Sequence, residues 1–116
     1  MLEVKIKAAL AAVKPELLDI ARQMYEHPEL GFQEVLASQL HTEFLERHGF
    51  AVTRDLCGFA TGYRGDFSSG KPGPHVAFLA EFDALPELGH GCGHNLVGTC
   101  ALGAGAALAS VLEELG

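Results

Sequence analysis

Residues 75–95 read HVAFLAEFDALPELGHGCGHN, and they indicate the architecture of the chain more clearly than any other segment. The first half is an apolar run, which predicts a buried β-strand from Val76 to Phe82. The run then meets two acidic residues, a proline and a glycine-rich turn that holds two histidines and one cysteine. A strand followed by an irregular, ligand-bearing loop and then a helix is typical of an α/β active site.

The rest of the sequence predicts helices on either side of short strands. Apolar residues recur at helical spacing in two early segments, alternate in two shorter ones, and continue in a Gly/Ala-rich segment after the turn. The predicted elements are helices over 15–26 and 33–48, strands over 50–56 and 59–64, and a last helix over 95–115. We therefore expect an α/β fold in which residues 1–116 form one incomplete catalytic domain, a mixed β-sheet flanked by helices, without a second domain.

The composition argues against several classes of partner. Eight Lys and Arg against fifteen Asp and Glu give a formal net charge of −7, and no basic cluster is present to meet nucleic-acid phosphates. Three cysteines without a C-x-x-C pair predict reduced thiols, and the first residues lack the pattern of a secretion signal. The uncharged segment 96–112 is rich in Gly and Ala and has no basic flanks, which favours a core helix over a membrane span. We expect a cytoplasmic protein with neither nucleic-acid nor membrane partners.

The glycine-rich turn predicts a metal site. Cys92 and His94 are separated by one glycine, so a flexible backbone can aim both side chains at one centre. Thiolate and imidazole together favour zinc or a related transition metal. Glu81 and Asp83 lie upstream on the same face of the predicted strand. Asp83 could orient a ligating histidine from behind or join the metal directly, and two ligands alone do not complete a site.

Other candidate residues are assigned more modest roles. His90 is a candidate for lining the site or contacting substrate. Cys92 as a nucleophile is disfavoured because His94 is too close along the loop to act as its base. Cys57 is expected to be a small apolar filler in a turn and Cys100 one on the last helix. The stripe Phe32, Leu36, Leu40 and Phe44 predicts the buried face of the second helix, whereas His41 and His48 are expected to be solvated.

Three motifs resemble one enzyme family. They are His27-Pro28-Glu29-Leu30-Gly31-Phe32-Gln33-Glu34, Ala80-Glu81-Phe82-Asp83-Ala84-Leu85-Pro86 and Gly89-His90-Gly91-Cys92-Gly93-His94-Asn95. In this order and spacing they are similar to the metal-dependent aminoacylase and amidohydrolase branch of the zinc exopeptidases, in particular its aminobenzoyl-glutamate hydrolase and dipeptidase-like members. The match covers nearly all of the chain and implies a zinc-exopeptidase-like catalytic domain.

The resemblance also implies a reaction and a set of roles. It implies a hydrolase with two divalent metal ions, zinc or manganese, that cuts the amide bond of an N-acyl amino acid or a dipeptide-like small molecule. Cys92 and His94 match metal ligands, and Asp83 matches the acid that supports the metal centre, which makes it the predicted catalytic residue. Glu81 stands where many wider relatives have His, and Asn95 fits the aminobenzoyl-glutamate-like subgroup. Both are kept with His90 as candidates for substrate or secondary contacts.

The resemblance further implies that the chain corresponds to an N-terminal portion. In the family a Glu-Glu pair supplies the general base and a ligand, further His ligands follow, and an inserted domain mediates dimer contact. The pair Glu113-Glu114 falls on the predicted last helix and is not expected to take that role. We therefore expect the 116 residues alone to be inactive. The protein is also expected to be a homo-oligomer. The alternative is a non-catalytic, self-associating module without a functional metal site.

Overall fold

The computed structural model describes residues 2–115, with the side chains of residues 2–112. Within this part the chain forms three α-helices, one antiparallel hairpin and one short 3₁₀ turn at Leu56–Gly58. The helices are α1 (Leu2–Glu26), α2 (Val35–Arg47) and α3 (His94–Leu115), and the strands are β1 (Ala51–Arg54) and β2 (Tyr63–Asp66). This arrangement is a partial α/β domain, which confirms the predicted fold class.

Helix α1 is longer than its apolar periodicity predicts. It begins at Leu2 and contains Pro15 in its interior, where a proline removes one backbone hydrogen bond. Its buried side chains, Ile20 and Met24, pack into the same core cluster as Leu102 of α3. Burial of these apolar groups against α3 offsets the lost hydrogen bond, and the helix therefore continues through the proline.

Helix α2 forms where it is predicted, and the predicted apolar stripe is buried only in part. Gly49 follows it with a φ of 86°, the left-handed conformation expected after a helix end. The side chain of Phe32 is 76% exposed, although it begins the predicted apolar stripe. His41, expected to be solvated, is 0% exposed, so that expectation is wrong. The buried side of α2 consists of Ala37, His41, Thr42, Phe44 and Leu45.

The two strands pair only with each other in the part of the chain that the structure describes. The register places Ala51 opposite Asp66 and Arg54 opposite Tyr63. A side chain at Gly65 would lie 2.7 Å from the Leu45 side chain, so this glycine allows the hairpin to approach α2 closely. The hairpin thus packs beside α2 and supplies Tyr63 to the interior.

The predicted strand from Val76 to Phe82 is not formed among residues 2–115. The segment has no regular secondary structure, and Leu79 within it is 88% exposed. A strand is stabilised by hydrogen bonds to a neighbouring strand, and the described hairpin does not pair with this segment. The apolar run alone is therefore not sufficient to form a strand here. Among the described residues, the antiparallel hairpin is the only part of the expected mixed sheet that forms.

Helix α3 is long and apolar enough over 94–112 to cross a membrane by length and composition alone. In the structure it packs along α1 instead, with Leu102, Ala107 and Val111 buried. A side chain at Gly103 would lie 3.0 Å from Leu17, so the small residue lets the two helices approach each other.

Candidate metal centre

A tight loop returns the chain from Asp83 to the first turn of α3. Leu85 and Gly89 form an isolated antiparallel bridge, and their backbones exchange two hydrogen bonds of 2.8 and 3.1 Å. Gly93 has a φ of 74°, a conformation that residues with a side chain rarely adopt. The turn places His94, the first residue of α3, against the segment that carries Glu81 and Asp83.

Asp83 and His94 form the central contact of the site. Nδ1 of His94 lies 2.8 Å from Oδ1 of Asp83 and 3.1 Å from the backbone oxygen of Asp83. Both partners are acceptors, so Nδ1 carries the proton and donates it. Metal-ligating histidines are commonly oriented by such a bond at the nitrogen that does not bind the metal. Of the two roles foreseen for Asp83, the geometry favours the orienting one.

Glu81 lies on the opposite side of the same imidazole ring. Its Oε2 atom is 3.2 Å from Nε2 of His94. Because Nδ1 already carries a proton, a neutral ring would turn the lone pair of Nε2 toward a carboxylate. Two acceptors this close require a cation between them, either a proton or a metal ion. Two ligand atoms on one tetrahedral zinc ion are separated by about 3.3 Å, so the observed spacing also fits a shared metal.

The side-chain atoms that could ligate a metal ion are not arranged around one point in the described structure. No three His, Cys, Asp or Glu side chains within residues 2–112 come together in a geometry that would hold a metal ion. Asp83 and Glu81 contact opposite nitrogens of His94, and therefore face away from a common centre. Cys92 is a free, exposed thiol on the loop just before α3. Cys57 and Cys100 are exposed as well, so the expectation that they fill apolar space is wrong.

The sequence of the chain is similar to those of several known hydrolases and peptidases. No protein-family model matches the chain. It is 36% identical to a p-aminobenzoyl-glutamate hydrolase of Escherichia coli (strain K12), over 96% of the chain and 26% of that protein. It is 34% identical to Xaa-Arg dipeptidase of Mus musculus, over 83% of the chain and 24% of that protein. It is also 34% identical to IAA-amino acid hydrolase ILR1-like 5 of Arabidopsis thaliana, over 85% of the chain and 25% of that protein.

The chain belongs to the amidohydrolase and peptidase group that includes these relatives, and it matches an N-terminal part of them. It spans about a quarter of the length of the curated relatives that it matches. The resemblance inferred from the three motifs is therefore confirmed for the family. The activity and the substrates of the whole protein are treated below as proposals.

The two remaining candidates differ in their surroundings. Asn95 is 8% exposed, and its Nδ2 atom donates a hydrogen bond of 3.3 Å to the backbone oxygen of Ala21. It therefore ties the start of α3 to α1. His90 is half-buried, and burial lowers its pKa even though a hydrogen bond with the Met24 backbone acts in the opposite direction. Proximity to His94 also lowers the pKa of His90, whereas the carboxylates of Asp83 and Glu29 raise it, so His90 lies within electrostatic range of all three groups.

A residue outside the predicted site, Glu29, joins the first motif to the second. Its carboxylate accepts hydrogen bonds from the backbone N–H groups of Leu36 and Ala37, at 2.9 and 2.8 Å. Its backbone oxygen accepts a hydrogen bond of 2.6 Å from the N–H of Ala84, which follows Asp83 directly. The family motif that begins at His27 contained the signal for this residue. Periodicity could not reveal it, because Glu29 lies in the irregular segment between α1 and α2.

Proposed function

We propose that the chain is the N-terminal portion of a metal-dependent hydrolase that cuts amide bonds in N-acyl amino acids or dipeptide-like substrates. The names of the relatives, a p-aminobenzoyl-glutamate hydrolase, an Xaa-Arg dipeptidase and an IAA-amino acid hydrolase, support this substrate class. The observation that carries the proposal is the imidazole of His94, which is held by Asp83 at one nitrogen and faces Glu81 at the other.

The proposed metal-binding residues are Cys92 through its sulfur and His94 through Nε2. Asp83 fixes the tautomer and the direction of the His94 ring, and Glu81 lies beside the ligating nitrogen at a spacing that suits a shared cation. A divalent ion, zinc or manganese, would polarise the scissile carbonyl and lower the pKa of a bound water molecule. A donor set of thiolate, imidazole and carboxylate fits zinc more closely than it fits manganese.

We also propose that residues 1–116 do not catalyse hydrolysis alone. A site with two metal ions requires more ligands than the residues near His94 supply, and the proposed reaction requires a general base. In this proposal those groups belong to parts of the enzyme beyond the 116 residues. The same proposal assigns the protein to the cytoplasm as a homo-oligomer.

Zinc binding by the purified chain tests this proposal. The wild-type chain is titrated with Zn²⁺ by calorimetry, and Co²⁺ substitution then reports thiolate ligation through a sulfur-to-metal absorption band. We expect stoichiometric binding that is lost in Cys92→Ser and retained in Cys57→Ser, because both cysteines are exposed and only one is assigned to the metal. Equal binding by the two variants, or no binding by the wild-type chain, would contradict the proposed site.

A second candidate function is supported by the exposed apolar segment. Val76, Phe78 and Leu79 are exposed and lie on a segment whose backbone is not paired in a sheet. Such a segment is a template for pairing with another chain, which favours a self-associating module without catalysis. Sedimentation of the metal-free chain distinguishes the two functions. A stable oligomer that takes up no Zn²⁺ would favour the module.

A further inference from the structure

A buried polar residue, His41, lies beneath the candidate metal centre. Its ring is fully buried, and its Nδ1 atom lies 2.7 Å from the hydroxyl oxygen of Tyr63. Its Nε2 atom has no hydrogen-bond partner among the described residues. Burial of an imidazole nitrogen without a partner is unfavourable, and an apolar side chain would fill the same space without this cost. The position therefore calls for an explanation beyond core packing.

His41 and Tyr63 together hold one aromatic side chain, Phe82. The ring centroids of His41 and Phe82 are 5.2 Å apart with an interplanar angle of 64°. The centroids of Tyr63 and Phe82 are 5.9 Å apart, and the hydrogen-bonded pair itself meets edge to face at 5.6 Å. Each of the three rings thus contacts both others, in geometries that aromatic rings favour.

Phe82 is the residue between the two carboxylates of the site. Successive side chains of an extended segment point in opposite directions, so a residue that is anchored in the interior turns both of its neighbours outward. The structure shows this alternation, because Phe82 packs against the core cluster while Glu81 and Asp83 both reach the His94 ring. The position of Phe82 therefore sets where both carboxylates stand.

Helix α3 closes the same cluster from the other side. A side chain at Gly98 would lie 2.7 Å from Cε1 of His41 and 2.8 Å from the backbone oxygen of Glu81. Gly98 and His94 are four residues apart and share one face of α3. The backbone of Glu81 is thus held against α3 one turn below the imidazole that its own side chain contacts.

We propose that His41 and Tyr63 are positioning residues, which lock Phe82 so that Glu81 and Asp83 are aimed at the two nitrogens of His94. This inference rests on the proposed function, because the aim of the carboxylates matters only if His94 binds a metal. The hydrogen bond between His41 and Tyr63 fixes the rotation of both rings, which apolar packing alone would leave free. The polar pair thereby gives the cluster one orientation.

The decisive comparison uses two tyrosines. Tyr63→Phe removes only the hydroxyl group that meets His41, and Tyr25→Phe removes the same group from an exposed tyrosine on α1. The first readout is the Nδ1–H proton resonance of His94 in the metal-free chain, which reports the hydrogen bond to Asp83. The second is the Zn²⁺ affinity of the folded protein, measured well below its unfolding temperature.

We expect Tyr63→Phe to shift or broaden the His94 resonance and to weaken Zn²⁺ binding about tenfold or more, the range found when a residue supporting a ligand is removed. Tyr25→Phe should change neither. In His41→Asn, whose amide can still meet the Tyr63 hydroxyl, both readouts should lie closer to wild type than in His41→Leu.

A His94 resonance that Tyr63→Phe leaves unchanged in a folded protein would overturn the positioning role. So would His41→Asn and His41→Leu behaving alike. A wild-type chain that shows the bonded His94 resonance, and its loss in Tyr63→Phe, but takes up no Zn²⁺ would contradict the proposed function and retain the geometric inference. The two failures are therefore distinguishable.

Discussion

The backbone oxygen of Glu29 accepts a hydrogen bond of 2.6 Å from the backbone N–H of Ala84. The same residue caps α2 through its side chain, because its carboxylate binds the N–H groups of Leu36 and Ala37. One residue therefore fixes both the start of a helix and the segment that carries Asp83. The motif around Pro28 therefore supports the segment that carries Asp83 through a backbone contact.

Glu29→Ala is expected to destabilise the chain by about 1–2 kcal/mol. The change removes a charged cap from two backbone N–H groups at the beginning of α2, a loss of this size for helix caps in general. No other side chain among the described residues caps this end, since Glu34 makes no such hydrogen bond. Urea unfolding followed by circular dichroism measures the effect.

Glu26→Ala serves as the control for Glu29→Ala, because Glu26 is an exposed glutamate paired only with Arg22 in the described structure. Its loss should change the free energy of unfolding by less than about 0.5 kcal/mol. Equal losses in the two variants would show that the cap contributes nothing specific.

Asp83→Asn is expected to weaken Zn²⁺ binding by about 10- to 100-fold while leaving the fold intact. The amide can hold the His94 ring only as a neutral partner, and it can also bind with its nitrogen facing the ring, which would select the wrong tautomer. Asp66→Asn on β2 is the matched control, since Asp66 is an exposed aspartate that pairs with Arg64. Calorimetric titration of both variants gives the result. Comparable affinities would contradict the orienting role of Asp83.

The stability of the chain should fall as the pH is lowered from about 6.5 to about 4 because of His41. Burial lowers the pKa of His41 from 6.5 to about 4, so in this window the unfolded chain binds a proton that the folded chain does not. The contribution of His41 to the free energy of unfolding is therefore fully present above pH 6.5. It falls by about 3 kcal/mol as the pH is lowered to 4.

Urea unfolding at several pH values measures this effect against His41→Asn, which lacks the titrating ring. The difference in the free energy of unfolding between the two proteins should change steeply between pH 6.5 and 4 and stay constant above pH 6.5. Nuclear magnetic resonance of the His41 Cε1–H gives the pKa directly. A midpoint near 6.5 would show that the ring is accessible to water.

The sequence locates the helices better than it predicts the surroundings of their side chains, and His41 shows why. The stripe from Phe32 to Phe44 identified a helix correctly, because periodicity is a property of the chain itself. The same pattern counted His41 as polar and placed it toward solvent, whereas Tyr63, twenty-two positions later, provides its partner. Such a partner lies outside any local window, and the burial of His41 was therefore predicted incorrectly.

The segment from Val76 to Phe82 shows a second limit of sequence reasoning. Its composition suits a buried strand, but the strand state depends on hydrogen bonds to neighbours that no local pattern specifies. The site residues were easier to find, because Glu81, Asp83 and His94 stand in motifs that belong to the family. The sequence did not reveal that Glu81 and Asp83 both contact the His94 ring. That contact depends on the 84–93 loop, which returns His94 to this segment.

Gly98→Ala is expected to destabilise the chain by about 1–3 kcal/mol, the usual cost of overpacking a tight site. Alanine favours a helix over glycine by about 1 kcal/mol, so an unobstructed position would be stabilised instead. At Gly98 the new methyl group would lie 2.8 Å from the backbone oxygen of Glu81, which cannot move as a flexible side chain would.

Gly105→Ala on the same helix is the matched control, because its methyl group would meet only the Phe50 ring at 3.8 Å. It should be neutral or stabilising by up to about 1 kcal/mol. Opposite signs for the two glycines, measured by urea unfolding, would establish that α3 and the Glu81 backbone are in contact at Gly98. Stabilisation by both would mean that this contact is absent in solution, and that His94 and Glu81 are not held in register by it.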